Sequence, residues 1–323
     1  MYVGIDLGGT KIAFAVIDAE RGLVHERHVI ATQSEMGEAV VLQRMVAVLV
    51  PLVERFPQVR AIGVGVPGVF DDSTGETLFL PNLMGTWRQV PVRAVLTAAV
   101  ARPVWLINDA RAFVLGESVH GAGRGHANVV GFTIGTGIGG GVVMHRQLYL
   151  GIRGTAGEFG HQTLALQGPV CGCGNVGCLE AFASGSAMVR AAQAALDADM
   201  APHLAGLVAA GQALTPALMM AAADVSIQDI LTRAFQYLGA GVANAVSMFS
   251  PDAVVLGGSV SNLGEPLRAA VAEIVQTRCR ATPVAEIAIC LASLGGDAGV
   301  MGAACWAAHR SGDQQMAGLS TTR

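Results

Sequence analysis

The densest chemistry in the chain lies in CGCGNVGCLE, where Cys171, Cys173 and Cys178 fall within eight positions. Separations this short do not suit disulfides between them, and a reducing compartment keeps them as thiols. Three thiolates need a fourth ligand to close a tetrahedral zinc site. His161, ten residues upstream of Cys171 in GEFGH, is the nearest candidate, against the plain alternative of a surface histidine. Cys279, Cys290 and Cys305 stand apart and read as small core residues.

Two glycine turns offer a second kind of chemistry. In DLGGT, Asp6 to Thr10, glycine lets backbone amides approach an anion, and a carboxylate at the strand end can hold Mg²⁺ directly or through water. One such turn is usually only a turn. IGTGIGGG, Ile134 to Gly141, supplies another, and a pair in repeated halves can grip one polyphosphate from both sides. Gly135, Thr136 and Gly137 are therefore singled out, while Gly139 to Gly141 read equally well as a bend where two backbones pass closely. Gly257-Gly258 is either a tight strand-to-helix turn or bare backbone for a nucleobase or ribose. Asp109, after the buried strand VWLIN, reads alone as a helix N-cap; beside two phosphate turns it can serve as a general base toward a hydroxyl.

The elements that carry these residues follow from periodicity. YVGIDLGGTKIAFAVID reads as a β-hairpin, and NVVGFTIGTGIGGGVVM, Asn128 to Met144, repeats the pattern, so the chain divides into two halves that each open with a hairpin, with a cleft between them. Between them come a helix over Glu38 to Arg55, a strand ending at Pro67-Gly68, a helix over Val92 to Ala101, the strand VWLIND, and a helix with Asp109 near its start. The second half is mostly helix from Ser184 to Phe249, then strand Ala253 to Leu256 running into a helix, and a last helix over roughly Gly299 to Ala308. The tail from 313 has too little apolar content to pack and is expected to be mobile.

Composition narrows the function. The 323 residues are 52% hydrophobic and 14% charged, enough apolar surface for two cores. Net charge is −4, and the 20 basic residues are scattered arginines except Lys11, which argues for a small-molecule partner and against nucleic acid. Leu204 to Ala223 is long and uncharged, yet its glycines and Thr215-Pro216 point to two short helices rather than a membrane span. No basic and apolar leader opens the chain, so a cytoplasmic location is expected.

Taken in order, DLGGTK, VGVPG, NDA, IGTGIGGG, GEFGH, CGCGNVGCLE and VVLGGSV resemble the ROK family of sugar kinases and sugar-responsive repressors over about residues 2 to 308. The resemblance implies a two-lobed, actin-like α/β fold: residues 1–110 plus 299–312 in a small lobe, 111–298 in a larger lobe with the zinc loop, and the tail 313–323 outside both. It also implies ATP-dependent phosphorylation of a hexose 6-hydroxyl with Mg²⁺, and a structural zinc on His161, Cys171, Cys173 and Cys178. Asp109 would be the base; Gly68, Asn82, Asn108, Glu158, His161 and Glu180 would hold the sugar. Asp6, Gly8, Gly9, Thr10, Lys11, Gly135, Thr136 and Gly137 would face the phosphates, and Gly257 and Gly258 the adenosine. Arg111 departs from the asparagine common after NDA, and the stretch from Asn82 to Trp87 has an unusual length. Glucose is the first choice of hexose; N-acetylmannosamine, N-acetylglucosamine and fructose are the alternatives, and a homodimer is expected. A repressor would carry an N-terminal DNA-binding segment, which a hairpin starting at residue 3 leaves no room for, and a non-catalytic sensor would lack Asp109. A chaperone-type ATPase would share the hairpins without the zinc loop.

Overall fold

The structure, a computed structural model, describes residues 1–312. The tail expected to be mobile, 313–323, lies outside the described residues. In chain order the strands are β1 (Tyr2–Leu7), β2 (Lys11–Asp18), β3 (Leu23–Ala31), β4 (Ile62–Val66), β5 (Val69–Asp71), β6 (Glu76–Phe79), β7 (Val104–Asn108), β8 (Val129–Ile134), β9 (Ile138–Met144), β10 (Gln147–Tyr149), β11 (Ala253–Gly257) and β12 (Ala288–Leu291). The helices are α1 (Glu38–Arg55), α2 (Val92–Val100), α3 (Asp109–His120), α4 (Leu179–Ala183), α5 (Gly185–Asp197), α6 (Pro202–Ala209), α7 (Pro216–Ala221), α8 (Val225–Phe249), α9 (Glu265–Arg278) and α10 (Ala298–Arg310).

The chain divides into two compact units. The first holds Met1–Ala127, Gly141–Ala156 and the described residues from Ser293; the second holds Asn128–Gly140 and Gly157–Ala292.

In the first unit a five-stranded sheet has the order β3-β2-β1-β4-β7, with β1, β4 and β7 parallel. Period-2 alternation sorts its side chains. Val3, Ile5 and Leu7 of β1 and Ile12, Phe14 and Val16 of β2 join a core with Val41, Met45 and Leu49 of α1 and Leu96 of α2. Tyr2, Ala13, Ala15 and Ile17 take the other face, with Leu115 of α3 and Val300, Met301 and Ala304 of α10. On α1 the buried Val41, Leu42, Met45, Leu49, Leu52 and Val53 recur at helical spacing, which is why that helix was legible.

The first unit includes α3, beyond the boundary at residue 110 expected from the sequence. Small residues bring α3 and α10 together: a Cβ on Gly302 would collide with the carbonyl of Ala112, and one on Gly116 with that of Ala298. Buried Glu117 adds a polar tie, accepting the backbone N–H groups of Ala122, Ser293 and Leu294 at 2.8 to 3.1 Å.

In the second unit β8, β11 and β12 run parallel, in that order. Phe132 of β8 stacks on Phe159 at 4.7 Å, and Phe159 meets Phe249 of α8 edge-on at 6.0 Å. The region from Leu204 forms two helices as expected: the Thr215 side chain accepts the N–H of Leu218, with Pro216 at the first position of α7. After Gly257-Gly258 the chain does not enter an α-helix directly. It makes a 3₁₀ turn over Ser259–Leu263, and α9 follows. Among the described residues, no helix is long and apolar enough to cross a membrane.

Candidate functional site

Parallel pairing gathers the candidate residues of the first unit at the carboxyl ends of its strands. Asp6 pairs with Gly65, and Val66 pairs with Asn108, so β1 and β7 flank β4 with their ends about 10 Å apart. The ends of such strands are where ligands of open α/β sheets bind. The turn after β1 closes through the N–H of Gly8 donating to the carbonyl of Lys11 at 3.0 Å. Thr32, fully buried, clamps it: its hydroxyl donates to the carbonyl of Gly8 at 2.6 Å and its N–H to that of Thr10 at 2.9 Å. Sequence reading missed Thr32 because it lies 24 residues from Gly8, beyond a third strand that was not foreseen. Thr10 and Lys11 are exposed at the tip. Gly9 lies against the carbonyl of Asn82, where a Cβ would not fit, so a candidate phosphate residue and a candidate sugar residue adjoin. Burial pushes the Asp6 carboxyl above the usual carboxylate range, more than Lys11 pulls it down. A cation beside Asp6 would relieve that cost.

The turn from β7 into α3 differs from the plain expectation in one respect. The N-cap is Asn108, not Asp109: the Asn108 side-chain oxygen accepts the N–H of Ala110 at 3.1 Å and of Arg111 at 3.3 Å. An Asn-Asp pair before a helix offers two equivalent caps, and sequence alone does not choose. Released from the capping position, half-buried Asp109 is the first residue of α3, and its Oδ1 accepts the N–H of Ala110 at 2.8 Å. The Asn108 amide nitrogen donates to the carbonyl of Gly68 at 3.2 Å. Gly68 has φ +150°, and a Cβ there would strike the carbonyl of Phe79. Asp109, Asn108 and Gly68 therefore form one linked group.

In the second unit, Thr133 of β8 pairs with Gly257 of β11, so the Gly135–Gly137 turn and Gly257-Gly258 sit at the carboxyl ends of neighbouring parallel strands. Gly258 has φ +84° and rests on the backbone of Ile134, a position closed to any side chain. The turn is tied from two sides. The N–H of Gly185, at the start of α5, donates to the carbonyl of Gly135 at 2.8 Å, and Glu180 accepts the N–H of Ile138 at 2.8 Å. Thr136 stays exposed at the tip.

Glu180 also faces the cysteine cluster, with the Cys171 thiol 3.6 Å from Oε1. The cluster fits a metal. One ligand atom from each of His161, Cys171, Cys173 and Cys178 lies within 4.8 Å of the others. Tetrahedral zinc with Zn–S of about 2.3 Å and Zn–N of about 2.05 Å has S···S edges of about 3.8 Å and S···N edges of about 3.6 Å. The Cys173 and Cys178 sulfurs are 3.8 Å apart, and the Cys171 sulfur is 3.6 Å from His161 Nδ1. Burial pushes the Cys171 thiol up to about 12 and Cys178 in the same direction, while the backbone N–H of Asn175 holds the exposed Cys173 down, so it is the two buried thiols that need a cation's charge to become thiolates. The other ring nitrogen of His161, Nε2, faces Glu158 Oε2 at 4.0 Å. One histidine can thus turn one nitrogen to the metal and the other to a ligand. Cys279 and Cys305 are buried, as expected of core residues, and Cys290 is half-buried.

The fold is of the hexokinase type: a solved ROK hexokinase from Thermus thermophilus matches it with a TM-score of 0.83 and 36% identity, over 97% of this chain and 99% of that one. The chain belongs to the ROK family, which it matches over residues 2–310. A ROK family glucokinase from Streptomyces griseus, solved in complex with glucose and AMPPNP, matches with a TM-score of 0.79 and 34% identity over 95% of this chain and 99% of that one. A glucokinase from Thermotoga maritima is 34% identical over 313 residues, 96% of this chain and 98% of the relative.

Proposed function

We propose that this chain is an ATP-dependent hexokinase that phosphorylates the 6-hydroxyl of a hexose, and that the hexose is glucose. The observation that carries the reading is the linked group at the end of β7. Asn108 caps α3 and donates to the carbonyl of Gly68, which sets the Asp109 carboxylate, at the first helical position, beside them at the carboxyl end of β7. Family membership and the glucokinase relatives support the choice of reaction and sugar.

In this reading Asp109 accepts the proton of the 6-hydroxyl as that oxygen attacks the γ-phosphorus, and ADP leaves with the electron pair of the broken P–O bond. Asn108, Gly68, Asn82, Glu158, Glu180 and the Nε2 side of His161 hold the other hydroxyls. Amides of Gly9, Thr10, Thr136 and Gly137, the hydroxyls of Thr10 and Thr136, and Lys11 receive the phosphates at the turns that Gly8 and Gly135 close, and Gly257 and Gly258 present bare backbone to the adenosine. Asp6 would hold the magnesium that comes with ATP, whose charge would neutralise the phosphates, and His161, Cys171, Cys173 and Cys178 would hold a structural zinc. The same reading places the enzyme in the cytoplasm as a homodimer, which sedimentation of the purified chain tests.

Sugar-dependent ADP release in a coupled assay tests the function. Release that rises with added hexose supports it. Hydrolysis indifferent to sugar indicates an ATPase, and sugar binding without ADP release indicates a sensor.

A further inference from the structure

Arg111 is 2% exposed, and the contacts of its guanidinium include two directed hydrogen bonds. Nη1 donates to the Asn108 side-chain oxygen at 2.8 Å, and Nε donates to the carbonyl of Ala156 at 2.9 Å. Counting the two capping N–H groups, the Asn108 oxygen accepts three donors, which exhausts its lone pairs. The reversed amide would turn its own N–H groups against those three donors, so the orientation is forced. The Asn108 nitrogen gives one hydrogen to the carbonyl of Gly68 and retains one. Toward a ligand, Asn108 can then act only as a donor.

We infer that Arg111 is a positioning residue of the hexose site: it fixes Asn108 as a one-way N–H donor to a sugar hydroxyl oxygen and ties that residue to the Ala156 carbonyl. Ala156 lies two residues before Glu158 in the chain, so the same guanidinium anchors the segment that leads into GEFGH. A hydroxyl that accepts from Asn108 must give its own proton to another acceptor. The arrangement therefore fixes the direction of the hydrogen bonds around the sugar as well as their positions. Lysine could not replace it, since a single ammonium lacks the planar fork that spans two acceptors facing different ways.

The inference rests on the hexokinase reading, and a double-mutant cycle separates the two. Arg111→Met, Asn108→Ala and the double variant are compared with the wild type for hexose KM, ATP KM and kcat, with thermal unfolding recorded for each. Arg111→Met should raise the hexose KM about tenfold or more, the scale of a charge-assisted hydrogen bond, with little change in ATP KM. If Arg111 acts through Asn108, adding Arg111→Met to Asn108→Ala should raise the hexose KM little further. Arg111→Lys should be intermediate, and it carries the test if the methionine variant does not fold. Independent, multiplying effects, or a folded Arg111→Met with wild-type hexose KM, would overturn the role while leaving the function intact. A wild type that phosphorylates no hexose would overturn the function and this role with it.

Discussion

Glu180 Oε2 accepts the backbone N–H of Ile138 at 2.8 Å, joining the residue that follows the cysteine cluster to the turn between β8 and β9. The carboxylate also occupies the space a side chain at Gly137 would need. A sugar-binding candidate thus braces a phosphate-binding candidate. Glu180→Ala should therefore raise the KM of ATP as well as that of the hexose, the brace alone being worth about tenfold as a hydrogen bond to a charged group. Glu180→Gln retains an oxygen for the Ile138 N–H and should spare ATP more than hexose. Steady-state kinetics with each substrate varied decide the matter: an ATP KM untouched in Glu180→Ala would show that the brace does not reach the turn.

The metal cluster predicts one zinc per chain in the purified protein. Cys173, exposed and 3.8 Å from Cys178, can be replaced with little disturbance to packing. Cys173→Ala should lose the metal and weaken hexose binding, because three ligands no longer hold the segment between His161 and Glu180. Elemental analysis and calorimetry on one preparation check both. A metal-free wild type with full activity would sink the assignment.

Asp109→Asn preserves size and keeps an oxygen for the Ala110 N–H, but it cannot take up the proton. Hexose binding should persist while kcat falls by about 10²–10⁴-fold, the usual share of a general base. Turnover within a few-fold of wild type would remove Asp109 from the role.

Two histidines of the first unit set an acid limit on stability. Burial lowers both: His120, whose Nε2 is 2.8 Å from the carbonyl of Ala19, and His309, which stacks on Trp306 and also feels Arg310. A folded value below the unfolded one, near 6.5, means the unfolded chain binds the extra protons. Their contribution is complete above about pH 6.5 and is lost as pH falls through the folded values. Thermal midpoints should drop over that range, and less steeply in His120→Gln and His309→Gln. Unchanged slopes in both variants would place the acid sensitivity elsewhere.

Where periodicity was strong, the sequence was enough. The bounds of α1 and the cap of α7 follow from apolar spacing and from Thr215-Pro216. β3 was not legible, because LVHERHVIA mixes charged and apolar residues on a strand whose side chains are alternately exposed and half-buried. The candidate site was legible as residue types but not as connections. Nothing in the spacing says that Asn108 caps α3, that Thr32 clamps the first turn, or that Glu180 reaches Ile138 across 42 positions. Those ties depend on which strand ends the sheets bring together. The contact of α3 with α10, which spans most of the chain, was unreadable from spacing for the same reason.

The central claim, a glucose-specific hexokinase, is tested most directly by kcat/KM for glucose and for N-acetylmannosamine, measured by ADP release with the product located by phosphorus NMR. Buried polar groups reject a sugar that leaves them unpaired more strongly than they favour one that merely fits. The account predicts phosphate on the 6-hydroxyl and glucose clearly ahead, with 2-deoxyglucose less efficient than glucose. A higher kcat/KM for N-acetylmannosamine would contradict the choice of sugar, and no ADP release with any hexose would contradict the function itself.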